Sequence, residues 1–121
     1  MSLTSTLRRI FGGTDDADGS LHHTVGAARA LQLVRDGAAL LDVRETSEWR
    51  SGHAPQAIHV PLGDIGQAPR RLKQDSPVVV MCASGMRSRT AAKHLRTLGF
   101  TATSLSGGIR AWQAAGGPVR R

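Results

Sequence analysis

The sequence predicts an α/β protein, a three-layer sandwich built on a mainly parallel five-stranded sheet. Three observations carry that prediction. Two short apolar runs, Ala38–Val43 and Val78–Met81, show no polar alternation, as strands do when both sheet faces are covered. Stretches with helical spacing stand between the strand-like runs. Glycines at Gly37 and Gly99 follow two of those stretches where a helix would stop. Alternating strands and helices are the pattern of a parallel sheet covered on both faces.

In chain order, His22–Val25 forms a short first strand. Gly26 to Asp36 then turns helical, with Ala27, Leu31 and Val34 on one side and Arg29, Gln32 and Arg35 facing out. The second strand, Ala38–Arg44, ends in Asp42 and Arg44. Side chains two apart on a strand share a face, so a salt bridge or a loop-bracing role is expected of these two. Thr46–Arg50 is a short turn or helix carrying Glu48, a second candidate partner for Arg44, and Trp49. A loop, Gly52–Pro55, leads to a third short strand, Ala57–Val60, which Pro61 ends. Leu62 to Lys73 is irregular, with Asp64 as a candidate cap. The fourth strand is Val78–Met81. Ser88–Leu98 is the clearest helix, with Ala91, Ala92, Leu95 and Leu98 inward. Phe100–Leu105 is the fifth strand, and Ile109–Ala115 a last helix with Trp112 in the core. Gly116–Arg121 is turn and tail.

At 121 residues the chain holds one core. Residues 21–118 are expected to form the domain, and residues 1–20 a flexible N-terminal segment. That segment includes the polar stretch Thr14–Ser20 and one small amphipathic turn around Leu3, Leu7, Ile10 and Phe11. It lacks the apolar run and cleavage pattern of a signal peptide. No stretch approaches the length of a membrane span, and no firm membrane association is expected. The net charge is +7, but the arginines are scattered, there is no tyrosine, and Phe and Trp number two each. Nucleic-acid binding needs a basic stripe or stacking aromatics, so the charge is read as solubility and attraction of small anions. A single cysteine excludes an internal disulfide and a cysteine-based zinc site. His22 and His23 lack further ligands at metal-binding spacing, so no metal and no cofactor are expected. A reducing compartment, the cytoplasm, is the expected setting.

That cysteine, Cys82, falls at the carboxyl end of the valine strand, the edge where open α/β sheets bind ligands. A loop with Gly85 and Arg87 follows, and then a helix start. Backbone amides, a cation and a helix N-terminus all favour thiolate over thiol. A buried structural thiol is the plainer reading of a lone cysteine; its place before a Gly–Arg loop favours a functional one. Asp42, Arg44 and Glu48 are read as structural support, His53 as ordering its loop, and His59 is given no chemical role. Arg87 is read as attracting an anion in preference to bracing the loop through an ion pair. For Ser84 and Ser88, substrate contact competes with loop and cap roles.

Four blocks resemble the rhodanese sulfurtransferase family: Leu41–Glu45 with Glu48-Trp49, Gly52–Pro61, Cys82–Ser88, and Leu105–Ile109 with Ala111-Trp112. They appear in the family's order and span roughly residues 22–117; Gln56 stands where the family usually has glycine. The resemblance implies transfer of a sulfane sulfur from a small anionic donor such as thiosulfate to cyanide, a small thiol or a protein thiol. The Cys82 thiolate would attack the outer sulfur, release sulfite and carry a persulfide. It implies that Ala83, Ser84, Gly85, Met86, Arg87 and Ser88 bind substrate, their amides holding the anionic sulfur and Arg87 the oxyanion. Related folds with five residues between cysteine and arginine act as phosphatases. Here four intervene, a tighter cradle suited to sulfur. A module that only carries or binds persulfide sulfur is the alternative. With no second cysteine, the sulfur must leave on an external acceptor.

Overall fold

The computed structural model describes residues 21–121, and the N-terminal segment expected to be flexible lies outside them. Five strands, β1 (Thr24–Val25), β2 (Ala39–Asp42), β3 (Ile58–His59), β4 (Val78–Met81) and β5 (Ala102–Leu105), pair in the order β1-β5-β4-β2-β3. Every pairing is parallel. The helices are α1 (Ala27–Arg35), α2 (Thr46–Ser51), α3 (Met86–Thr97) and α4 (Gly108–Ala114). Residues Leu62–Arg71 form a 3-10 segment kinked at Asp64, with Pro61 in the capping position assigned above to Asp64.

The valine strand is the centre of the sheet. It bonds to β2 on one side and β5 on the other, and all four of its residues are buried. Successive side chains on a strand point to opposite faces, and this divides the core in two. Val78, Val80 and Cys82 pack with Leu41, Val43, Ala102 and the α3 residues Ala91, Ala92 and Leu95. Val79 and Met81 pack with Leu40, Leu105, the α1 residues Ala30 and Leu31, and Trp112 of α4. Helices on both faces explain the absence of polar alternation along β2 and β4.

Three expectations need correction. Helix α3 begins at Met86, two residues before Ser88, because the left-handed turn at Gly85 (φ 114°) already starts it. Leu98 is 44% exposed, not inward. It is the residue that caps the helix after Thr97, and the chain then folds back through Gly99 so that the Phe100 amide donates to the Leu95 carbonyl at 3.1 Å. Phe100 fills the core position instead, and β5 starts at Ala102. The C-terminal tail is docked: His53 and Arg120 exchange backbone hydrogen bonds of 2.8 and 2.9 Å, and Trp112 Nε1 donates to the Pro118 carbonyl.

Leu95→Ala is therefore expected to cost about 3 kcal/mol, the price of a buried cavity. Leu98→Ala, at the exposed helix end, is expected to cost less than about 1 kcal/mol. Urea unfolding midpoints of the two variants check the difference.

Candidate active site

Leaving β4, the chain has four residues, Cys82–Gly85, in which to turn into α3. Gly85 makes the turn possible, since φ near 114° is strained for any residue with a Cβ. The turn aims backbone N–H groups at the cysteine sulfur. Gly85 N donates to Cys82 Sγ at 3.0 Å and Ser88 N at 3.3 Å, and the Ser88 hydroxyl lies 3.5 Å away. The first amides of a helix have no partners within it. No side chain at the capping position supplies one in α3, and the sulfur of Cys82 does so for Ser88.

Burial pushes the Cys82 thiol up. The hydroxyl and amide of Ser88 and the amides of Gly85 and Ser84 outweigh it, and the thiol is held below its ordinary range. The far side of the loop is pinned by β5 and α4. Ile109 N donates to the Cys82 carbonyl at 3.0 Å, and Gly108, at φ 66°, passes so close that a Cβ there would collide with the Ala83 carbonyl.

A second set of groups fixes Arg87. Arg44 and Asp42 pair as expected, both buried, with Arg44 Nε 3.0 Å from each carboxylate oxygen and Nη2 2.8 Å from Oδ2. The rest of the Arg44 guanidinium donates to the backbone carbonyls of Glu48, within α2, and of Gly52, just past its end. The Glu48 carboxylate is thus not the partner of Arg44. It takes both terminal nitrogens of Arg87, at 2.7 and 2.9 Å, and also caps α2 by accepting from the Glu45 amide. The ranking of anion attraction above loop bracing for Arg87 is corrected to this extent: its guanidinium is held by a bidentate ion pair. The hydrogen bond from Arg87 draws the Glu48 pKa down from 4.5 to about 2.

His53 orders its loop, as expected. Its Nδ1 bonds the Trp49 carbonyl at 2.8 Å, and its ring stacks on Trp49 at 3.6 Å. His59 stacks on Trp49 as well, at 4.6 Å, and its Nε2 bonds the Arg44 carbonyl. Trp49 thus stacks on both imidazoles, so α2 and its Glu48 are held in place from β3 too. Of the loop residues, Ser84 and Met86 are exposed, Met86 at 70%. They line a small cavity of about 80 Å³ with Thr24, Arg89 and Ser106. A cavity of about 290 Å³ at the β3 edge, lined by His59, Gln67, Arg70 and Arg71, includes none of the loop residues. Among the described residues, no three His, Cys, Asp or Glu side chains come together in a metal-binding group.

Ser104 was not singled out in the sequence. It is buried in β5 and lies 2.7 Å, oxygen to oxygen, from Ser88. The one signal for it is a pair of hydroxyl residues, Thr103-Ser104, inside a strand that must be buried.

Two outcomes are expected from this geometry. Gly108→Ala forces backbone apart at the Cys82–Ala83 peptide and should cost about 2 kcal/mol or more, read from the thermal midpoint. Glu48→Gln keeps the cap but removes the charge, and should cost on the order of 1 kcal/mol or less near neutral pH, as both side chains are a third exposed. A carboxyl group with a depressed pKa stabilises fully above its unfolded value and loses that contribution as pH falls through its folded value. The stability difference between wild type and Glu48→Gln should therefore be constant above pH 4.5 and shrink toward pH 2. Urea titrations across that range check it.

Comparison with known proteins gives a consistent picture. The family model described as "Rhodanese-like domain" matches residues 26–115. A Bacillus subtilis (strain 168) protein named "Putative sulfurtransferase YtwF" is 42% identical over 74 residues, which cover 61% of this chain and 72% of that one. A crystal structure of a rhodanese-related protein from Thermoplasma volcanium superposes with a TM-score of 0.73 at 30% identity, covering 82% of this chain and 98% of that chain. The solution structure of a rhodanese-like domain from an Anabaena sp. protein gives a TM-score of 0.73 at 28% identity, covering 83% and 80%. With this fold, this loop and these relatives, the chain belongs to the rhodanese-like domain family, and its activity class is that of a sulfurtransferase.

Proposed function

We propose that the protein is a thiosulfate-type sulfurtransferase with Cys82 as its nucleophile. The observation that carries this reading is the sulfur itself, which takes two backbone amides and stands beside a serine hydroxyl inside the short loop between β4 and α3. Those dipoles favour the charged form of the thiol, the form that attacks.

In the first step the thiolate electron pair attacks the outer sulfur of thiosulfate. An S–S bond forms, the bond to the sulfonate sulfur breaks, and sulfite leaves with that electron pair. Cys82 then carries a persulfide, its terminal sulfur anionic. In the second step cyanide or a thiolate attacks that terminal sulfur, and the Cys82 thiolate is the leaving group. The amides of Ala83 to Ser88 are the groups that receive the anionic outer sulfur. Arg87 meets the donor through the guanidinium N–H groups that Glu48 does not occupy. Cys82 is 0% exposed, so the donor reaches the sulfur only as the loop side chains above it part. That favours a small, slim donor over a bulky one. The chain's single cysteine leaves the second step to an external acceptor, either a small thiol or a protein thiol. A reducing compartment such as the cytoplasm supplies such acceptors. Among the described residues no helix is long and apolar enough to cross a membrane.

Intact mass after incubation of the reduced protein with thiosulfate tests the reading. The wild type should gain one sulfur atom and lose it on addition of cyanide, and Cys82→Ser should gain nothing. A folded wild type with a free thiol and no mass gain would exclude thiosulfate as donor and favour a module that carries sulfur from another source.

A further inference from the structure

Ser88 and Ser104 are both buried completely, one on α3 and one on β5. They meet because Ser104 shares a strand face with Ala102, which packs against α3. Their oxygens are 2.7 Å apart. The Ser88 hydroxyl has one proton and two acceptors near it, Cys82 Sγ at 3.5 Å and the Gly85 carbonyl at 3.1 Å. Among the described residues, the Ser104 side chain has one hydrogen-bond partner, Ser88. A buried hydroxyl that does not donate is costly. Only one direction satisfies both groups: Ser104 donates to Ser88, and Ser88 turns its proton toward the loop. A hydroxyl that accepts a hydrogen bond is polarised into a better donor.

We propose that Ser104 is a positioning residue for the Cys82 thiolate, acting through the Ser88 hydroxyl. This rests on the reading of Cys82 as a thiolate. Ser104 does not touch the sulfur. The charged groups facing the sulfur come from other elements: Arg87 from α3, held by Glu48 from α2. The Asp42–Arg44 pair at the end of β2 is closed on itself and on α2. From β5 the influence on the sulfur is that of a neutral hydroxyl.

The test is thiolate ultraviolet absorbance against pH. With one cysteine and no tyrosine in the chain, the thiolate signal has no phenolate beneath it. Wild type, Ser104→Ala, Ser104→Thr, Ser104→Val, Ser88→Ala and the double variant Ser88→Ala/Ser104→Ala are compared, each shown to be folded by circular dichroism. Threonine keeps the hydroxyl, and valine has threonine's shape without it. The wild-type midpoint should lie below the ordinary thiol range. Ser104→Ala and Ser104→Val should raise it by roughly half a pH unit. Ser104→Thr should stay near wild type, and Ser104→Ala should add nothing in the Ser88→Ala background. A midpoint that is unmoved or lowered in both Ser104→Ala and Ser104→Val would overturn the proposal. So would equal shifts in the threonine and valine variants, or a full shift without Ser88. A wild-type midpoint in the ordinary range would instead overturn the thiolate reading on which the proposal stands.

Discussion

A sulfur atom buried away from water carries charge only if fixed dipoles replace the water it has lost. Most of the loop's geometry answers to that constraint. The dipoles come from the amides of Gly85 and Ser88, and those amides point inward only because the chain turns from β4 into α3 within four residues. The turn depends in its turn on a left-handed Gly85 and on backbone contact with Gly108 and Ile109 from the β5–α4 connection. The central strand is what brings these pieces together. It is fully buried, so its end is fixed in space by β2 and β5, and the sulfur at that end is fixed with it.

The charged residues around the loop form a chain of supports. Asp42 neutralises Arg44, and Arg44 then holds α2 by the carbonyls of Glu48 and Gly52. Helix α2, stacked through Trp49 on His53 and His59, presents Glu48 to Arg87. Only the outermost of these pairs is solvated enough to be weak. The inner one is buried, and removing one of its partners would leave a bare charge, which is strongly destabilising. The arrangement puts the permanent charges where they shape the loop and leaves neutral donors to touch the sulfur.

How much of this was legible in the sequence follows from how local each interaction is. The strand of Val78–Met81, the cysteine after it and the glycine turn are adjacent in the chain, and their pattern states their structure. Asp42 ends β2, Arg44 stands two residues later, just past the strand, and the two pair. Glu48 is another matter. Arg44 is four residues away and Arg87 is thirty-nine, yet the distant arginine is the partner. The nearer guanidinium is already taken by Asp42 and by carbonyls, and no spacing rule shows that. Ser104 was missed for the same reason, since its meaning comes from Ser88 on another element, sixteen residues away. Leu98 misled because helical periodicity continues past the point where the chain leaves the helix, and Phe100 takes the buried place.

Loop length and burial together narrow the chemistry. Between Cys82 and Arg87 stand four residues, and the amides of Gly85 among them and of Ser88 just beyond Arg87 converge on one atom at 3.0 and 3.3 Å. A tetrahedral phosphoryl group needs donors spread around three oxygens at some distance from the nucleophile. A persulfide needs them around one more sulfur directly above it. The hydroxyl of Ser88 lies 3.5 Å from the Cys82 sulfur, beside the Gly85 carbonyl and Ser104. Glu48 holds Arg87 through two hydrogen bonds, at 2.7 and 2.9 Å, which gives the guanidinium a defined place beside the loop. A small cradle of neutral donors holds a single soft anion well, and the outer sulfur of a persulfide is such an anion.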